Sequence, residues 1–192
     1  MRTIRRPRSL VLLLTTLTLA LLGFVVPGVA SAAPYCGITW GSLDRSSAGG
    51  TGYLDDVRAG QHACYDRLVL DVFGNPSFRS WHVGYVDRVT EDPSGRPVPL
   101  RGGAFLQITV QAPDHTPNGT LTYVPANPRE LVNVSGFRTF RQVAWAGSFE
   151  GSSSIGLGVR ARLPFRVTAV TGLPHTANGT RVVIDVAHQW QS

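Results

Sequence analysis

From Tyr65 onward, short apolar runs alternate with turn residues in a way that predicts strands. The run Arg67-Leu68-Val69-Leu70-Asp71-Val72-Phe73 is rich in branched side chains and ends at Gly74-Asn75-Pro76. Similar runs follow at Arg79 to Val86, Phe105 to Val110, Thr120 to Val124, Phe137 to Ala146, Phe165 to Thr171 and Arg181 to Val186. Such residues suit a pleated, half-buried surface. The breakers between them include Asp92-Pro93-Ser94-Gly95, Gly102-Gly103, Pro117-Asn118-Gly119 and Ala177-Asn178-Gly179. Asn-Gly is a hairpin signal because both turn positions need a left-handed backbone. No segment after residue 33 keeps a helical apolar period over three turns. Strands at this spacing predict an all-β domain, a sandwich or a barrel, and a β-sandwich of two antiparallel sheets is the favoured form.

The N-terminal pattern is different. Arg2, Arg5, Arg6 and Arg8 precede an apolar stretch from Leu10 to Val26, and Pro27-Gly28 then leads to Ala30-Ser31-Ala32. This is the three-zone pattern of a secretory signal, residues 1–32, with cleavage after Ala32 or, as the near alternative, Ala33. The stretch is short for a membrane span and no basic stop-transfer cluster follows it, so no span is expected after cleavage. The general secretory route is favoured, with a secreted or wall-associated product. Residues 33–64 are rich in Gly and Ser and read as an irregular N-terminal arm, pinned to a 65–190 domain at Cys64.

Export changes the reading of charge. The chain has 18 Lys+Arg against 12 Asp+Glu, but the four presequence arginines leave with the signal, so 14 basic residues face 12 acidic ones. These arginines are scattered along the sequence, whereas a nucleic-acid protein would show a basic stripe. Every basic residue is Arg, which removes any mechanism that needs a lysine. Cys36 and Cys64 are the only cysteines. Oxidising conditions outside the cell favour a disulfide between them over two free thiols. With no Cys/His set nearby, a metal pair is the weaker alternative.

The search for chemistry finds little. Ala146-Gly147-Ser148-Phe149-Glu150-Gly151 misplaces the serine of a nucleophile elbow, and there is no His-Glu-x-x-His or phosphate loop. His62, His82, His115, His175 and His188 have no metal-ligand spacing, so neither metal nor cofactor is expected. A glycosidase needs two placed carboxylates. Glu150 with Asp71 or Asp185 is the available combination, but both aspartates sit in strand runs that read as structural. No enzyme is expected, and a hydrolase with an unrecognised site is the weakest alternative. Trp40 and Trp190 are the tryptophans best placed for exposure, where a ring could face a sugar. Two near-repeats stand out. Arg67-Leu68-Val69-Leu70-Asp71-Val72 echoes Arg181-Val182-Val183-Ile184-Asp185-Val186, and His115 to Thr120 echoes His175 to Thr180. Their offsets differ, so they share no period; the first echo leaves duplication and chance similarity both open.

Tyr65 to Asp71, Gly95-Arg96-Pro97-Val98-Pro99-Leu100 and Gly102-Gly103-Ala104 resemble the opening of the AMIN-like (amidase N-terminal-like) domain of exported actinobacterial proteins. Phe149-Glu150-Gly151, Gly156-Leu157-Gly158, Pro164-Phe165-Arg166-Val167 and Arg181 to Val186 resemble its second half. The resemblance implies a β-sandwich in the cell envelope with no activity of its own. By fold analogy with wall-targeting AMIN domains, it also implies binding to peptidoglycan or another wall polymer. A structural or protein-interaction role in the envelope is the alternative. Glu150, Arg160 and Arg162 are the candidate contacts, because they flank Gly-rich segments where a backbone can approach a glycan.

Overall fold

Alternation along each strand decides which side chains meet in the middle. The computed structural model describes residues 36–174 and 176–190, in which the regular structure is nine strands and no helix. They are β1 (Arg45–Ser47), β2 (Tyr53–Gln61), β3 (Tyr65–Phe73), β4 (Trp81–Val86), β5 (Ala104–Val110), β6 (Phe140–Phe149), β7 (Ser152–Val159), β8 (Phe165–Leu173) and β9 (Thr176–Ala187). All neighbours are antiparallel, in a five-stranded sheet ordered β1-β4-β5-β7-β6 and a four-stranded sheet ordered β2-β3-β9-β8. Inward residues at period two form one core. Leu68, Leu70, Val182 and Ile184 come from one sheet, and Leu106, Ile108, Ile155 and Leu157 from the other. Each such buried aliphatic contributes about 1.5–3 kcal/mol relative to exposure. The β-sandwich expected from the sequence is the observed fold.

The first sequence echo has a geometric meaning. β3 and β9 are antiparallel neighbours, with Val69 opposite Val183, Arg67 opposite Asp185 and Asp71 opposite Arg181. Two Arg-x-x-x-Asp strands in this register place each arginine across from a carboxylate. Arg67 takes up the offer, gripping both oxygens of Asp185 at 2.7 and 2.9 Å, while Arg166 on β8 adds a 2.9 Å bond. Asp71 is instead held by Arg58 from β2 at 2.7 and 2.9 Å, and Arg181 turns to the Gly172 carbonyl. Asp71 and Asp185 are therefore buried, at 2% and 1% exposure, on the outward face of their sheet. The hydrogen bond to Asp185, opposed by partial burial, raises the pKa of Arg67 above its ordinary value.

Several expectations are corrected. The irregular arm over residues 33–64 holds only in part, because Arg45–Ser47 and Tyr53–Gln61 are strands within the two sheets. β2 hides its pattern because a bulge between Leu54 and Asp56 lets Leu54 and Val57, three residues apart, both face the core. Thr120 to Val124 is a loop in which Leu121 and Val124 are 60% and 68% exposed. Asn178-Gly179 lies inside β9, and the chain reverses earlier, between the paired residues Leu173 and Thr176. The Gly-rich segment between Glu150 and Arg160 is the strand Ser152–Val159, set between β5 and β6. The 88–103 loop presses on its outer face so closely that a Cβ on Gly158 would lie 2.0 Å from the Arg101 carbonyl oxygen. The glycines admit the protein's own chain. The presequence, with Ala32 and Ala33, lies outside the described residues.

Cys36 and Cys64 form a disulfide with Cα atoms 5.8 Å apart. The segment after Cys36 crosses the outer face of the four-stranded sheet. Trp40 sits under the Arg166 guanidinium at 4.3 Å and 5.7 Å from the Tyr65 ring. Gly41 then accepts a hydrogen bond from the Phe165 N–H at 2.9 Å, and the chain continues into β1 on the other sheet. The strap thus closes one side of the sandwich.

Candidate ligand-binding ends of the sandwich

β7 separates the candidates found in the sequence. Glu150 precedes it and Arg160 follows it, which puts them about 30 Å apart at strand rise. They do not form one site.

At the first end, Phe149 pairs with Ser152 across a two-residue turn, Glu150-Gly151. Both turn residues have left-handed backbones, with φ of 47° and 81°, as a primed hairpin turn requires. Glu150 is the one non-glycine with positive φ among the described residues. A side chain there costs about 1–2 kcal/mol, and outliers of this kind concentrate at functional positions. Glu150 lines an open groove of about 580 Å³ together with Tyr53, Gln111, Pro113, His115 and Pro117. Its polar groups are fixed from behind. Gln111 donates to Ser152 Oγ at 2.8 Å, and His115 Nδ1 lies 2.8 Å from Asp114 Oδ1. Tyr53 packs against Phe73 with ring centroids 5.4 Å apart. A carboxylate, an amide, an imidazole and a phenol around a shallow groove can exchange hydrogen bonds with hydroxyls.

At the other end, Arg160 donates its N–H to the Thr139 carbonyl at 2.8 Å and its guanidinium to the His188 carbonyl. Arg162 lies 4.8 Å over the Tyr85 ring and donates to the Ser42 carbonyl at 3.1 Å. Trp190, 55% exposed, donates its indole N–H to the Arg162 carbonyl at 3.1 Å. Tyr85 is both donor and acceptor to Leu163, at 2.8 and 2.9 Å, and burial pushes its hydroxyl pKa up. Beneath these groups, sequence reasoning missed Asp66, which is fully buried. Its Oδ2 accepts the N–H groups of Thr139 and Phe140 at 2.6 and 3.0 Å, and its Oδ1 meets His188 Nε2 at 3.0 Å. A carboxylate so occupied is a structural clasp between β3, β6 and the end of β9. Its only sequence signal was an acidic residue at an inward position of a strand.

The other carboxylates considered for chemistry are held elsewhere. Asp71 and Asp185 are bound to arginines on the outer face of the four-stranded sheet. Among the described residues, no three His, Cys, Asp or Glu side chains are grouped to hold a metal ion.

The AMIN-like domain family model matches residues 52–188, beginning just before β2 and ending just after β9. No curated protein and no solved structure matches the chain. The matched span takes in both sheets apart from β1, and with them Glu150, Arg160 and Arg162, while Ser42 and Trp190 fall outside it. This chain belongs to the AMIN-like domain family, a membership that points to a cell-envelope module.

Proposed function

We propose that this protein is a secreted, non-catalytic envelope module that binds peptidoglycan or another wall polymer, with a glycan held in the groove at the β6–β7 turn. The presequence pattern and the disulfide support an extracytoplasmic place of work. The observation that carries the reading is Glu150, a charged residue kept in a left-handed turn at the mouth of an open groove of mixed polar and apolar lining. Sugars present hydroxyl edges and apolar faces. The Glu150 carboxylate can accept from the former, and Tyr53 can face the latter.

Retention on purified wall sacculi tests it. The purified protein should sediment with sacculi, and Glu150→Gln should weaken retention about tenfold, the loss of one charge-assisted hydrogen bond. Indifference of the parent protein to sacculi at low salt would overturn the reading.

A further inference from the structure

Arg160 and Arg162 belong to a larger cluster that four separate segments bring together. The Arg160 N–H to Thr139 bond sets the 138–141 segment beside it, and Arg101 Nη2 donates to the Arg141 carbonyl at 3.0 Å. Arg101, Arg138, Arg160 and Arg162 are exposed and Arg141 is half-buried. Among the described residues, Glu130 is the one carboxylate in contact with these five guanidinia, paired with Arg101 at 2.5 and 3.1 Å. Asp66 lies below them but is fully buried and spent on backbone N–H groups and His188. Arg138, Arg141, Arg160 and Arg162 thus have no carboxylate partner among the described residues. The outer face of the four-stranded sheet contrasts with this, since Arg58, Arg67 and Arg166 each contact a buried carboxylate there.

The cluster is also held in place. Arg141 donates to the Phe137 and Phe140 carbonyls at 3.2 and 2.9 Å, and Arg160 donates to His188. Each guanidinium has five N–H donors, so most remain open after these bonds. A depression of about 370 Å³ is lined by Arg101 and Arg141, with Asn133, Ser135 and Phe137 in its wall. The exposed Trp190 ring stands beside Arg162. A cluster of guanidinia, four of them without a carboxylate among the described residues, is suited to a ligand with repeated anions, because arginine matches phosphate oxygens two at a time.

We propose that this arginine end is a second binding surface, for a phosphodiester-linked polyol or sugar polymer of the wall. It goes beyond the groove at Glu150, which lies at the opposite end of β7. It relies on the wall-polymer reading only for where the ligand is met. One domain would then hold a neutral glycan at one end and a polyanion at the other.

Titration of the purified protein with a glycerol-phosphate polymer, against neutral dextran of equal length, tests the proposal. The phosphate polymer should bind and dextran should not bind the arginine end. Binding should fade as salt rises toward about 1 M, where the screening length falls to about 3 Å. Arg138→Gln, which removes a side chain with no bond of its own, should weaken binding about threefold, and the Arg138→Gln, Arg160→Gln, Arg162→Gln triple at least about tenfold. Arg96→Gln removes one charge from the 91–96 loop and should change nothing. No polymer binding at low salt, or equal losses from Arg138→Gln and Arg96→Gln, would overturn the proposal. Tighter binding to phosphatidylglycerol vesicles than to the polymer would also overturn it, in favour of a lipid surface. Glu150→Gln should leave polymer binding intact. Sacculi stripped of phosphate polymers should still retain the parent protein, so either site can fail alone.

Discussion

Gly158 has the core on one side of its strand and the Arg101 backbone on the other. The missing Cβ is what lets the 88–103 loop lie flat on the sheet. Gly158→Ala should therefore destabilise the fold by about 1–3 kcal/mol, an overpacking cost, or separate the loop from β7. Gly60 on β2 has nothing within 4 Å of an added Cβ, so Gly60→Ala should be neutral or gain a few tenths of a kcal/mol. Equal denaturation midpoints for the two variants would show that the loop yields easily. The alternation Ile155, Leu157, Val159 made β7 legible in principle. The glycines between them outweighed it, because a glycine whose neighbour is distant in sequence looks like any turn glycine.

At the scale of elements, the clearest information lay in the Arg-x-x-x-Asp echo of β3 and β9. It was visible as a repeat, but its cause is the antiparallel register that sets Arg67 against Asp185. Asp185→Asn would leave Arg67 and Arg166 over a buried amide. It should cost about 3 kcal/mol, the low end for a broken buried pair because both guanidinia keep contact with water. Chemical denaturation measures this directly. A change under about 1 kcal/mol, the range of an exposed pair, would mean that the ladder adds little. β5 was legible because its apolar residues alternate, and β3 and the second half of β9 because their branched apolar residues run together, while the first half of β9 was hidden behind Asn178-Gly179. β2 was missed because its core contribution is two residues split by a bulge. Thr120 to Val124 was over-read because branched residues in a loop carry the same local preference as a strand.

At the scale of the whole molecule, the arginine end could not be read from the sequence. Its side chains come from the loop before β5, the start of β6, and the segments after β7 and β9, so no stretch of chain shows a basic run. The Glu150 end was half legible, since Glu150 stood out beside a Gly-rich segment but its groove partners did not. The disulfide was legible from cysteine count and the presequence, and it anchors the strap that crosses to β1. Replacing both cysteines with serine should cost roughly 3–4 kcal/mol on a chain-entropy account of a loop of 28 residues. Hydrogen exchange should quicken first at the Phe165 N–H, which Gly41 protects. Unchanged protection there would show that Trp40 holds the strap without the bridge.

The same bridge sets how the body meets tension. Cys36 is joined to Cys64, whose carbonyl accepts the His188 N–H at 3.0 Å, so residues 36 and 190 leave from one end of neighbouring antiparallel strands. A load drawn between them falls on the Tyr65–Ala187 rung and parts β3 from β9 one rung at a time. Strands pulled that way unzip at low force, where strands pulled lengthwise past each other would share the strain. The architecture is fit to be held by one end and unfit to carry tension along the chain.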